Sequence, residues 1–196
     1  MGSEIKKAQE DAPFGSAHSA LAFSFRFLDL SHSRPMMSKM AQPGSGRGNG
    51  LVGLDAAAQA GMIRAELRKV GRLLGSILIA RTAPKTIPCS CGARCCAGHR
   101  TNTEWADAIA YLADLTKTAV PRGSHHYRLR SAVVLKYFGS QVGISEIAET
   151  CEVSRTTAHE HWSKIGKMLR DAENSAWESI EERLQSAGIV RSTEKA

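Results

Sequence analysis

Residues able to bind a metal are concentrated between Cys89 and His99, a stretch that reads Cys-Ser-Cys-Gly-Ala-Arg-Cys-Cys-Ala-Gly-His. Zinc prefers four thiolate or imidazole ligands in a tetrahedron, and short spacers rich in glycine and alanine let a chain fold around the ion. Adjacent cysteines rarely both bind one ion without a sharp turn. The sequence therefore predicts a structural zinc site whose candidate ligands are Cys89, Cys91, Cys95, Cys96 and His99.

Two alternatives to zinc stay open for this cysteine cluster. One is a metal-free reduced loop and the other is redox chemistry. Metal binding is preferred to both, because clustered thiols in a reducing compartment more often hold metal than form disulfides. The cluster has no neighbouring Glu-x-x-His or similar general-base pattern. We therefore do not expect hydrolytic zinc chemistry.

A second motif, at residues 144–170, is typical of a DNA-binding helix-turn-helix. Ala148 supplies the small residue that lets two helices cross closely, and Ile147 and Cys151 are expected to face inward. Val153 would fill the turn, and Ser154 is the expected N-cap of the second helix. A buried stripe at helical spacing should follow, made by Ala158, Trp162, Ile165 and Leu169.

The opposite side of that second helix carries the candidate DNA-binding residues, which are Arg155, Thr156, Thr157, His159, Glu160 and Lys164. Arg155 is the best candidate to bind a guanine or a phosphate. Glu160 is either an acceptor for cytosine or a solvated charge, and we expect His161 to be packed or on the surface. Glu152 stands where such motifs commonly have a left-handed glycine. An all-α hairpin without a DNA role is the structural alternative.

The elements that position these motifs are predicted to be helices. They span residues 13–28 with Ser16 as cap, 55–81, 104–115 with Asn102 or Thr103 as cap, 128–138, and a tail helix at 172–186. Residues 31–53 are expected to be a mobile linker, and no strand pattern of useful length occurs. Gly61, Gly71 and Gly75 are interpreted as marks of close helix packing. The fold class is therefore all-α, with a small zinc-binding loop and a C-terminal helix-turn-helix.

Three regions are expected along the chain: 1–53 as an N-terminal helix and linker, 54–120 as a helical region with the Cys-rich loop at 88–100, and 121–190 as the DNA-binding region with its tail. The 196 residues carry a net charge of +7 with a pI near 9.4. Nucleic acid is the first expected partner, and a membrane surface the second. No apolar run reaches the roughly 20 residues of a membrane span, and no secretory signal is evident. These features predict a cytoplasmic protein.

The order of these motifs resembles the late-gene antitermination proteins of lambdoid-type bacteriophages, often called Q proteins. The resemblance is carried by residues 88–99 with the helix Glu-Trp-Ala-Asp-Ala-Ile at 104–109, by residues 128–169 with their Tyr-Phe-Gly and Glu-Ile-Ala elements, and by residues 14–21. It implies a protein that binds DNA beside a late promoter in the bacterial host. The protein would then modify paused, sigma-bearing RNA polymerase so that it passes terminators.

The main alternative function is a site-specific helix-turn-helix repressor or activator, with a homodimer as one expected form. A sigma-factor-like region is a third interpretation, although the chain lacks an evident promoter-melting segment. We do not expect an enzyme, because the sequence has no clustered acidic metal site and no activated nucleophile to act as an integrase or nuclease.

Overall fold

The computed structural model describes residues 12–32, 54–89, 91, 97–120 and 126–191, which are predominantly helical. The all-α prediction is confirmed at that level. Most of the linker predicted at 31–53 lies outside the described residues, but Ser31 and His32 are the last residues of the first helix, so the linker does not begin at 31. None of the helices in the described ranges is both long and apolar enough to cross a bilayer.

The chain forms two compact units built from segments that are distant in sequence. The described residues of the first fall within Met1–Gly71, Thr82–Asn102 and Trp177–Ala196, and those of the second within Arg72–Arg81 and Thr103–Ala176.

The first unit contains helices α1 (Ala17–His32) and α2 (Leu54–Lys69), which pack against each other. Helix α1 begins after Ser16, whose Oγ accepts a hydrogen bond from Ser19 N at 3.2 Å, so the predicted cap is confirmed. The unit also contains strands β1 (Thr86–Pro88) and β2 (His99–Thr101). Its buried apolar residues include Leu21, Phe25, Ile63, Leu67, Ile180 and Leu184.

The second unit contains α3 (Arg72–Thr82, of which Thr82 falls in the first unit), α4 (Thr103–Leu115), a 3₁₀ turn (Thr116–Thr118), α5 (Tyr127–Tyr137), α6 (Ile144–Thr150) and the first part of α7 (Arg155–Ser186). Within it, α4 packs on α5 and α5 on α6. Its buried apolar residues include Ile77, Leu112, Leu129, Val133, Ile147 and Leu169.

The single helix predicted at 55–81 is wrong, because the chain breaks it into α2 and α3. Gly71 lies between them with φ +88°, a left-handed conformation that ends a helix at little cost only for glycine. Close packing explains neither Gly61 nor Gly71, since a Cβ built at each meets nothing within 4 Å.

Two further expectations are corrected by the structure. The two three-residue strands, β1 and β2, pair antiparallel around the cysteine cluster, where no strand was predicted. The predicted tail helix is not separate, because α7 runs for 32 residues without a break between Leu169 and Ala172. The second helix of the predicted motif and the predicted tail helix are therefore one helix.

Candidate nucleic-acid interface

Helix α6 and the turn after it are held by buried side chains. Ile147, Ala148 and Cys151 are each at most 3% exposed, as the sequence predicted. Backbone bonds close the turn, because Cys151 N donates to Ile147 O at 2.9 Å and Val153 N donates to Ala148 O at 3.0 Å. The end of α6 therefore has a defined direction.

Glu152 adopts the left-handed conformation expected at this turn, with φ +56°. It is the sole non-glycine residue with positive φ in the described part of the chain. A residue with a Cβ costs roughly 1 kcal/mol more than glycine in this conformation. The turn keeps the geometry despite that cost, so surrounding packing determines it.

Helix α7 begins with the predicted cap. Ser154 Oγ accepts a hydrogen bond from Thr157 N at 3.0 Å, and the Ser154 and Thr157 hydroxyls lie 2.8 Å apart. This arrangement satisfies one of the N–H groups that a helix start leaves without an internal partner. Thr157 is half-buried and engaged in the cap, which leaves it less available to DNA than its neighbours.

The inward face of α7 carries the predicted apolar stripe and one histidine. Ala158, Ile165 and Leu169 are fully buried, whereas Trp162 is half-buried. His161 is also fully buried, and its Nδ1 lies 2.9 Å from Thr157 O. Because a carbonyl oxygen can only accept, Nδ1 carries the hydrogen of this bond. Of the two positions that the sequence left open for His161, packed or on the surface, the structure shows the packed one.

The outward side of α7 presents the remaining candidates to solvent: Arg155, Thr156, His159, Glu160 and Lys164. Arg155 Nη2 lies 3.5 Å from Glu149 Oε1, and both side chains are 71% exposed. An ion pair this exposed contributes little stability and is easily exchanged for another anion. The Arg155 guanidinium therefore remains accessible to an external ligand.

Helix α5 contacts α7 through Lys136, whose Nζ lies 5.7 Å from the centroid of the Trp162 ring and donates to Val142 O at 2.7 Å. This helix was predicted from the sequence at 128–138 and is found at Tyr127–Tyr137. Its N-cap is His126, whose side chain accepts from Leu129 N. These contacts tie the segment between α5 and α6 to α7.

A polar cluster that the sequence did not predict joins α3, α5 and α7. Arg81 Nε and Nη2 donate to the two carboxylate oxygens of Glu173 at 2.7 and 2.8 Å, and Tyr137 Oη donates to Glu173 Oε2 at 2.7 Å. Burial and the Glu173 carboxylate together raise the pKa of Tyr137 to about 12, and the bond to Glu173 also raises the pKa of Arg81. The cluster therefore attaches α7 to α3 and α5.

The predicted zinc ligands lie only partly within the described residues. Cys95 and Cys96 lie outside them, Cys89 is half-buried, and Cys91 and His99 are exposed. Cys89 N donates to Gly98 O at 2.8 Å, continuing the β1–β2 ladder in which Pro88 pairs with His99. The hairpin therefore closes the two ends of the cluster together.

Strand alternation separates two of the candidate ligands. Successive side chains point to opposite faces of a hairpin, so Cys89 shares a face with Ile87 and Arg100, and His99 shares the other with Pro88. No group of three His, Cys, Asp or Glu side chains placed to hold a metal occurs among the described residues.

No protein-family model, curated protein or solved structure matches the chain.

Proposed function

We propose that α6, its turn and α7 form a helix-turn-helix that binds double-stranded DNA. The observation that carries the proposal is the left-handed Glu152 between a short helix and a second helix capped by Ser154. This geometry is typical of the motif, and it leaves the polar start of the second helix exposed, where it can enter the major groove. The net charge of +7 favours a polyanionic partner.

The regulatory role that we propose is phage-type transcription antitermination. The protein would bind beside a late promoter and modify paused RNA polymerase that still carries its sigma factor. The support is the resemblance of the motif order to Q-type antiterminators, namely a helix, a cysteine cluster, a tryptophan-containing helix and a C-terminal helix-turn-helix. A site-specific repressor or activator remains the alternative.

Arg155→Ala tests the DNA interface. If Arg155 binds a base edge, its loss should weaken specific binding by about 1–3 kcal/mol. The measurement is fluorescence anisotropy at matched salt, with a duplex selected from random sequence by the wild-type protein. Arg68→Ala is the control, because it removes an equal charge from an exposed position on α2. Unchanged affinity of the Arg155 variant would remove this residue from the interface.

A transcription assay across a terminator separates the two regulatory roles. Elongation complexes formed at a phage late promoter in the presence of the protein should show readthrough downstream. Promoter-level changes without readthrough would favour the repressor or activator and reject antitermination.

We propose in addition that the cysteine cluster holds a structural zinc ion. The donor chemistry fits, because thiolates are preferred zinc ligands and the hairpin brings the two ends of the cluster together. Cys89 and Cys91 would contribute thiolates, with the remaining ligands drawn from Cys95, Cys96 and His99. Bound zinc would crosslink a segment that has only short strands to stabilise it.

A further inference from the structure

We infer that duplex DNA lies along α7 as far as Arg170, and that Lys167 and Arg170 contact backbone phosphates. The inference rests on the proposed DNA-binding function and extends it from the start of α7 to its fourth and fifth turns. Both side chains are exposed, and neither is among the candidate DNA-binding residues predicted from the sequence, which end at Lys164. The unbroken course of α7 makes them part of the same surface.

The angular positions of residues 155–170 on α7 define a continuous sector free of negative charge. At 100° per residue, Arg155, His159 and Arg170 fall within about 60° of one another. Lys167 lies at about 120° from Arg155 on this scale, with Thr156 and Ser163 between them. All six side chains are exposed, and no exposed carboxylate interrupts this sector over 155–170, all of which the structure describes. We call it the cationic sector of α7.

Exposed carboxylates on α7 lie at the margin of the cationic sector. Glu160 and Asp171 fall at about 140° and 160° from Arg155, with Lys164 beyond them at about 180°. A phosphate facing the middle of the sector therefore meets Arg170 and Lys167 before it meets either carboxylate. Lys164 is less favourably placed than these two residues, because acidic side chains separate it from Arg155.

The length of the cationic sector matches a run of several phosphates. Fifteen residues separate Arg155 from Arg170, which corresponds to about 22 Å along a helix. Along the axis of duplex DNA, each strand presents a phosphate about every 3.4 Å. The sector can therefore follow roughly six base pairs, with polar side chains near its start and two cations at its far end.

The charges on α6 and the turn after it disfavour contact with the DNA backbone on that side of the motif. Glu146, Glu149 and Glu152 are all exposed, and α6 itself carries no lysine or arginine. Bringing phosphates against these carboxylates is repulsive, which disfavours a DNA path across α6. The difference between the two helices thus favours a path along α7.

The test is the salt dependence of binding to a random-sequence duplex of 30 base pairs, followed by fluorescence anisotropy. Each phosphate contact adds about 0.9 to the slope of log Kobs against log salt concentration. Lys167→Ala combined with Arg170→Ala should therefore lower the magnitude of that slope by about 1.8. Arg26→Ala combined with Arg68→Ala removes the same charge from exposed positions on α1 and α2 and should leave the slope unchanged.

Glu146→Gln tests the other side of the turn without disturbing Glu149, the ion-pair partner of Arg155, and should change affinity by less than about twofold. A large gain in affinity would place the backbone along α6 and overturn the inference. So would an unchanged slope in the Lys167/Arg170 variant, or an equal loss in the Arg26/Arg68 control, which would reduce the effect to net charge. Absence of duplex binding by the wild-type chain at low salt would instead reject the proposed function itself. Circular dichroism and the Tm of each variant establish that it is folded.

Discussion

The α6–α7 pair carries the candidate DNA-binding side chains and the β1–β2 hairpin lies beside the candidate zinc ligands. These two regions are stabilised in very different ways. Around α6 and α7, the side chains behind the exposed face are buried and hydrogen-bonded, including Ile147, His161 and Ile165. The hairpin has strands of three residues each, whose side chains are exposed except for a half-buried Ile87. A two-stranded hairpin of this size is marginally stable on its own in water.

The two candidate sites therefore depend on their ligands to different degrees. The candidate DNA surface is already ordered by the core of its own unit, so binding requires little rearrangement. The cysteine cluster has few buried contacts among its described residues, so an ion that crosslinks it would supply much of its stability. We therefore expect metal loss to affect the cysteine cluster without changing affinity for DNA, and changes in the core of the α6–α7 pair to lower the stability of that pair.

The largest expected effect is the loss of zinc from Cys91→Ser. The wild-type protein should carry about one zinc ion per chain and this variant close to none, because removing a thiolate leaves an incomplete tetrahedron. Elemental analysis of the dialysed proteins measures this. Affinity for duplex DNA should change by less than about twofold. A parallel collapse of DNA binding would contradict this expectation, because the two sites would then be coupled.

Two controls sharpen that prediction. Cys151→Ala removes the buried thiol of the α6–α7 turn and should retain the metal. His99 lies on the hairpin face opposite to Cys89, so His99→Ala should retain zinc only if Cys95 and Cys96 together complete the tetrahedron. Loss of zinc from the histidine variant would show that the loop brings the imidazole round to the thiolates.

The next effect in size is the destabilisation expected from Glu173→Gln. This change removes the carboxylate that accepts hydrogen bonds from Arg81 and Tyr137, and it should lower the free energy of unfolding by about 1–2 kcal/mol. The lower value of this range allows for solvent screening of the ion pair, since the Arg81 side chain is 33% exposed. Urea denaturation measures the change, with the exposed Glu178→Gln as control. Equal losses in the two variants would mean that the cluster does not hold α7.

The sequence predicted those features of the α6–α7 pair that depend on near neighbours. The Ser154 cap, the left-handed Glu152 and the inward stripe each involve residues a few positions apart, and local rules describe them well. The ion pair of Arg81 with Glu173 joins residues 92 positions apart, and no local pattern indicates it. Its detection required the tertiary structure.

Errors in the predicted elements have specific physical causes. Gly71 is tolerated within a helix and equally suited to ending one, so periodicity alone could not predict the break between α2 and α3. The β1–β2 strands are too short to give an alternating pattern. By contrast, the continuity of α7 had a signal: residues 169–172 contain no glycine or proline, and the stripe continues through Ala176, Ile180 and Leu184. Lys167 and Arg170 lie inside the motif predicted at 144–170, although its candidate DNA-binding residues ended at Lys164.

Alkaline pH offers a further test of the cluster at Glu173. The pKa of Tyr137 is raised to about 12 in the folded protein, first by burial and then by the carboxylate, compared with about 10 in an unfolded chain. The folded state therefore holds the phenolic proton more tightly, and this contribution to stability is complete below pH 10 and is lost as the pH rises from 10 towards 12. The difference in unfolding free energy between wild type and Tyr137→Phe should shrink across that window. A constant difference would mean that the phenol titrates alike in both states.

The smallest expected effect concerns Glu152→Gly in the turn between α6 and α7. Glycine adopts φ +56° without the steric cost of a Cβ, but it also gains freedom in the unfolded chain, so the net stabilisation should be about 1 kcal/mol or less. Glu149→Gly is the matched control, since the same exchange at an exposed helical position should destabilise by about 0.5–1 kcal/mol. Opposite signs in urea denaturation would show that the turn is strained and that buried residues hold it in place. Destabilisation by both variants would instead mean that the Glu152 side chain itself supports the turn. The exposed face of the α6–α7 pair would then owe its order partly to this side chain and not only to the buried residues behind it.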